Sequence, residues 1–230
     1  VLLLFEAVTG ARMMHNYIRI GGIKNDVPEN FNQRMRSLIV ELKKGLEEAD
    51  KLLSFNEIFL ARTKNIGTMS AKMAIEYGVS GPSLRASGVP IDIRKDHPYS
   101  IYDRFDFGIP IGEVGDCWDR YYVRVREIEE SIKIIRQALD GMPRDGDVHA
   151  TLPKKIRSKL GNVYCRTESP RGDLGYYIAS DGSDVPTRVK LRSPAFTALS
   201  CLDEIARGWM LSDVIAILGS LDIVLGEIDR

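Results

Sequence analysis

Two long helical patterns constrain this chain most. From Phe31 to Leu53 the apolar residues Phe31, Met35, Leu38, Ile39, Leu42, Leu46, Ala49, Leu52 and Leu53 recur at spacings of three and four. That spacing places them on one face of a helix. A second stripe, formed by Trp118, Tyr121, Tyr122, Val125, Ile128, Ile132, Ile135 and Leu139, predicts a helix from about Asp116 to Leu139. Asn30, preceded by Pro28 and Glu29, is the expected cap of the first helix. Asp116 is the expected cap of the second, Asp119 suits its positive end, and Gly141 followed by Pro143 ends it. Two helices of this length must bury their stripes against something.

The stretch between them, residues 67–110, is rich in Gly and Pro and reads as ordered loop with one short helix, Ala71 to Tyr77. A loop this long inside a domain is commonly functional. Residues 143–161 are polar and basic, a surface connection. Short strand-like runs follow at Asn162–Thr167, Gly175–Ala179 and Thr187–Arg192, with a turn at Asp181-Gly182-Ser183-Asp184 between the last two. Helices are expected around Pro194–Ala206 and Leu211–Leu218. The chain thus divides into a helical part over 1–142, the connection over 143–161, and a portion with short strands and C-terminal helices over 162–230; its length suits one large domain or two small ones.

The 32 Lys and Arg balance 32 Asp and Glu, and no basic run marks a patch for nucleic acid. The three cysteines, Cys117, Cys165 and Cys201, lie far apart, with no CxxC pair, so no disulfide framework or metal motif is expected. No stretch reaches the roughly 18 apolar residues of a membrane span. Val1-Leu2-Leu3-Leu4-Phe5 lacks the basic flank of a signal peptide. It also lacks an initiator Met and opens inside an apolar pattern, which suggests a fragment or processed piece.

Several residues are candidates for chemistry. The last eleven, Ser220 to Arg230, set Asp222 and Asp229 around the apolar run Ile223-Val224-Leu225. So apolar an end is expected to pack inside the protein and to bring its carboxylates with it, which requires partners for them. His15 sits among mostly apolar neighbours. There it is either a core histidine satisfied by a carbonyl or a group that couples electron arrival to proton uptake. Arg85 and Arg94 lie in the Gly/Pro loop, where structural ion pairs are the expected role in the absence of a phosphate loop. Gly78-Val79-Ser80-Gly81-Pro82 lacks the spacing of a nucleotide fingerprint. His97 and His149 have no partner at metal spacing. Ser87, Ser193 and the cysteines lack a nucleophile context.

Longer blocks carry a resemblance. Gly10-Ala11-Arg12-Met13-Met14-His15-Asn16-Tyr17-Ile18-Arg19-Ile20-Gly21-Gly22, Tyr77 to Gly88, Tyr102 to Phe107, Gly115 to Arg120, Glu168-Ser169-Pro170-Arg171-Gly172, Ser180-Asp181-Gly182 and Gly226 to Arg230 occur in one order along the chain. Together they resemble the D subunit of NADH-quinone oxidoreductase, the hydrogenase-like subunit of respiratory complex I, over essentially the whole chain. The resemblance implies a single domain, mainly α with a small β portion (α+β), in the fold of the nickel–iron hydrogenase large subunit with its metal site lost. It also implies a peripheral, proton-pumping core subunit on the cytoplasmic side of the inner membrane. Implied partners are the iron–sulfur cluster subunit, a C-type subunit and the membrane quinone-channel subunit. The substrate would be a quinone, the cluster would be held by the partner, and NAD would be used by the complex without binding here.

Carried over residue by residue, His15 matches the family histidine near the terminal cluster. Asp222 and Val224 match positions lining the quinone cavity, and Asp229-Arg230 match the closing pair. The family's N-terminal portion, with the His and Tyr that hold the quinone headgroup, is missing, so this chain corresponds to a C-terminal portion. The segment between Asp140 and Gly161 is short, like that of deazaflavin-dependent dehydrogenases, which leaves both NADH and deazaflavin open as electron donor. An energy-converting hydrogenase shares the fold but needs a C-terminal CxxC to hold nickel and iron, and Ser220 to Arg230 contain no cysteine. A truncated, non-catalytic scaffold is the remaining alternative.

Overall fold

In the computed structural model, which describes residues 1–143 and 145–229, helices make up 48% of the chain and strands 12%. This is the mainly α composition with a small β portion that the resemblance implies. Helix α1 spans Leu2–Thr9, and a minimal ladder follows, β1 (Ile18–Arg19) antiparallel to β2 (Gly22–Ile23). Helix α2 covers Phe31–Ala49 and runs into a π turn at Asp50–Ser54, then α3 (Glu57–Thr63). Asn30 does stand before α2, but its φ of −87° and ψ of 8° are not those of an extended cap, and its side chain makes no capping bond.

Residues 67–110 hold more helix than expected: α4 (Ala71–Glu76), α5 (Gly81–Ala86), α6 (Ile93–Asp96) and a 3₁₀ turn at Tyr102–Arg104. Each is too short to show a period, but each of the three helices has a start signal. Ser70 and Asp92 accept bonds from the backbone N–H groups of Met73 and Arg94, and Pro82 lies in the first turn of α5.

Helix α7, Cys117–Asp140, is the long helix expected, and the Asp116 carboxylate accepts from the Asp119 N–H at 2.8 Å. Its far end packs as the stripe requires, with Ile132 and Leu139 against Ile39 of α2. Its first half does not. There the buried residues are Cys117, Asp119, Arg120 and Val123, whereas Trp118, Tyr121 and Tyr122 are only half-buried and Ile128 is exposed. This end of α7 sets Cys117 into the larger core and Arg120 against the Gly67 and Gly115 carbonyls, loop groups that need polar partners.

Strands β3 (Gly161–Ser169), β4 (Gly172–Ser180) and β5 (Arg188–Arg192) form an antiparallel meander. The β3–β4 hairpin closes through Pro170-Arg171, with Ser169 paired to Gly172. Gly172 (φ +131°) meets Gly81 (φ +66°) so closely that a Cβ on either would overlap the other's backbone. The hairpin end is thereby seated on the start of α5.

Helices α8 (Pro194–Ser200), α9 (Leu202–Ala206), α10 (Leu211–Leu221) and α11 (Leu225–Ile228) complete the chain. Ile217 and Leu221 of α10 join Met69, Leu84, Cys117 and Cys201 in the larger of two core clusters. The expected burial of the terminus holds only in part, with Leu221 buried and Ile223 half-buried against the larger core. Asp222 takes a left-handed conformation (φ 54°), the chain turns outward, and Val224 and Leu225 are exposed. An α11 of four residues presents too little apolar surface to bury itself.

Candidate functional site

A cleft of about 400 Å³ opens between the loop helices, α7, the β3–β4 hairpin and the end of α10. Its floor is Arg85, which is 1% exposed. The Arg85 guanidinium donates Nε–H to Glu127 at 2.6 Å, and Nη1–H to Glu168 at 2.9 Å and to the Ile91 carbonyl at 2.9 Å. Asp92 stands 3.8 Å away and spends its carboxylate on Arg94, whose Nη2 lies at 2.6 Å. Both arginines are thus engaged in ion pairs. Burial lowers the Arg85 proton affinity, but Glu127, Glu168 and Asp92 more than reverse that, so it ends raised. Glu168 is also displaced upward, for a different reason. Burial raises its carboxyl above the usual range and Asp92 adds to this, while Arg85 and the Ile93 N–H only partly offset it.

Asp222 stands at the mouth of the same cleft. Its carbonyl accepts from Arg171 Nε at 2.7 Å, and its carboxylate lies 3.5 Å from Arg171 Nη2 and 3.8 Å from Arg124 Nε. Arg124 donates to the Ser220 and Leu221 carbonyls at 3.0 and 3.3 Å, closing the end of α10, and also to the Arg120 carbonyl. Its Nε is buried without a hydrogen bond. Burial pulls Arg124 down to about 10, against the pull of Asp222 and Glu127. The Asp222 side chain keeps 43% of its exposure, so one carboxylate is held loosely by two arginines and still faces outward.

The other sequence candidates lie elsewhere. His15 is exposed, its Nδ1 3.1 Å from the Thr9 hydroxyl and its ring 4.9 Å from that of Phe5. Met14 beside it is 94% exposed. Val224 and Asp229 are exposed on the last turn, and Arg230 lies outside the described residues. Among the described residues, no group of three or more His, Cys, Asp or Glu is placed to hold a metal ion, and no helix is long and apolar enough to cross a membrane.

The respiratory-chain NADH dehydrogenase 49 Kd subunit family matches residues 1–159 and 149–230. The chain belongs to this family. Among the 49 Kd subunit relatives, the NADH-quinone oxidoreductase D subunit of Desulforamulus reducens is 49% identical over 226 residues, 98% of this chain and 62% of the relative. Its counterpart in Bacillus mycoides is 48% identical over 229 residues, 100% of this chain and 63% of the relative. That of Chlorobium phaeovibrioides is 50% identical over 238 residues, 100% of this chain and 60% of the relative. The chain therefore spans about three-fifths of the length of these relatives.

The residue pattern of this 49 Kd family member points to Asp222 and Arg85 but not to what joins them. Glu127 and Arg124 carry no separate signal. Glu168 and Arg171 stand out only inside the Glu168-Ser169-Pro170-Arg171-Gly172 block. A helical count would have found one link, because Arg120, Arg124 and Glu127 lie three and four apart on α7.

Proposed function

We propose that this chain forms one wall of the quinone site in a proton-pumping NADH:quinone oxidoreductase, as a core subunit of that complex. The observation that carries the reading is Asp222, an outward-facing carboxylate set between Arg124 and Arg171 at the mouth of a polar cleft. It stands in a chain whose relatives are named as the D subunit of that enzyme. Reduction of a quinone to a quinol takes two electrons and two protons. The chain contributes no redox group of its own in this reading. Electrons arrive by tunnelling from an iron–sulfur cluster held by a partner subunit, and NAD is oxidised elsewhere in the complex. Asp222 and Val224 border the quinone, and the side chains here position it and carry protons. Asp229 and Arg230, the closing pair, are structural support for that wall.

His15 is the redox-linked proton group in this reading. Its exposure, together with the bare apolar side chains of Met13, Met14, Ile18 and Ile20, suits a surface covered by the cluster-bearing subunit. Further contacts are with a C-type subunit and the membrane quinone-channel subunit, which places the chain peripherally on the cytoplasmic face of the inner membrane. The family's remaining residues, including the His and Tyr of the headgroup, complete the cavity, so this portion is inactive by itself.

In the whole complex, Asp222→Ala lowers quinone reductase turnover about 100-fold or more, the scale of a lost proton-transfer group, while the complex still assembles. Normal turnover would remove Asp222 from the site. For His15→Met, the midpoint potential of the neighbouring cluster loses its pH dependence. An unchanged slope would rule out the coupling.

A further inference from the structure

We propose that Glu168 is the inner proton-holding group of the cleft, supplying protons through the cleft to Asp222 and from there to the reducing quinone. The inference rests on the quinone reading and deepens it. Each turnover adds two protons to quinone oxygens, and a headgroup shut away from bulk water must receive them through side chains or held water. Glu168 and Asp222 both line one cleft of about 400 Å³, roomy enough for ordered water between polar walls. One hairpin holds both ends of this arrangement. Glu168 is the second-last residue of β3, and Arg171, in the turn that follows, binds the Asp222 carbonyl at 2.7 Å. The seating of Gly172 on Gly81 fixes that hairpin against the helix that carries Arg85.

The groups that face Glu168 come from every neighbouring element. Arg85 of α5 touches one carboxylate oxygen at 2.9 Å, and the Ile93 N–H of α6 donates to the other at 3.3 Å. Asp92, just before α6, and Arg94 within it add one charge of each sign. The Tyr99 hydroxyl donates to the Glu168 carbonyl at 3.4 Å, and its own proton affinity is pushed up to about 12 by burial and by Tyr102. From α7, Glu127 shares Arg85 and Arg124 overlooks the cleft. Among these acids Glu168 is the one whose side chain is both nearly buried, at 5% exposed, and displaced toward neutral pH. Glu127 is 16% exposed. A carboxyl that holds its proton nearer to working pH can give it up and regain it in each cycle.

The test uses the assembled complex with a short-chain water-soluble quinone and compares rate against pH in Glu168→Gln, Glu168→Asp, Glu127→Gln and Asp222→Ala. In the unmodified enzyme the rate falls as pH rises through the titration of Glu168. Glu168→Gln loses about 100-fold in turnover and lacks that limb, while reduction of the cluster by the donor keeps its rate. Glu168→Asp regains part of both. Glu127→Gln, which also takes a counter-charge from Arg85, keeps the limb. The proposal is overturned if Glu168→Gln retains the limb, or if Glu127→Gln loses it equally, because either outcome assigns Glu168 to charge balance alone. Should Asp222→Ala be impaired and Glu168→Gln normal, only the relay falls. Should Asp222→Ala run normally, the quinone reading itself falls.

Discussion

Two arginines lie at the heart of this molecule, and their surroundings are opposite. Arg85 and Arg120 are 1% and 0% exposed. Arg85 is surrounded by Glu127, Glu168 and Asp92. Arg120 instead donates to the Ser220 hydroxyl at 2.8 Å, to the Gly115 and Gly67 carbonyls at 2.7 and 2.9 Å, and to Cys117 Sγ at 3.4 Å. Burial lowers the proton affinity of Arg120, and Cys117, Asp116 and Asp119 recover only part of it. The nearby carboxylates are already committed to backbone. Asp119 accepts from the N–H groups of Glu113, Val114 and Gly115, and Asp116 from those of Asn65 and Asp119. The difference separates two uses of one side chain. Arg120 clasps three chain segments mainly through carbonyls and a hydroxyl, which stay neutral across the working range. Arg85 organises acids that titrate, at the floor of an open cleft.

Removing each arginine should break the molecule differently. Arg85→Met strands the buried Glu168, takes a counter-charge from Glu127, and costs about 3–5 kcal/mol at neutral pH, read from thermal unfolding of the subunit within the isolated complex. Glu168, already raised by burial, then holds its proton higher still, and its protonated form stabilises the variant at low pH, so the deficit shrinks as pH falls from about 8 to 5. Arg120→Met leaves carbonyls and a hydroxyl unpaired and costs about 3 kcal/mol. Its deficit is the same across that range, and a pH-dependent one would erase the contrast between the two arginines. Smaller again, Asp119→Ala frees three backbone donors at the entry to α7 and costs about 2 kcal/mol. It leaves the pH profile of quinone reduction untouched.

The long helices were legible because their apolar periods are long, and α7 is also marked at its ends by Asp116 and Gly141. The first half of α7 was not, since Arg120 and Asp119 look like a solvated face until the carbonyls of Gly67 and Gly115 are seen to lie against Arg120. The terminus misled for the opposite reason. Its apolar run suggested burial, yet the αL turn at Asp222 carries Val224 and Leu225 outward. Of the candidate site, Arg85 and Asp222 could be named from sequence, but Glu168 and Arg124 acquire meaning only by proximity. Helical spacing ties Arg124 to Glu127, but the approach of Glu168 to Arg85 and of Arg124 to Asp222 joins residues remote in the chain, and no local pattern encodes that.

The contact between Gly81 and Gly172 also has a temporal consequence. Arg85 and Glu168 are 83 residues apart, and Arg124 reaches Leu221 across 97. Contacts of that span form late, because a long loop must close before they return any energy. During synthesis Arg85 therefore emerges, stays hydrated and waits for the hairpin to arrive. The cleft exists only once the hairpin and the helices after it have been made, so a ribosome that stalls before Gly172 releases helices but no site.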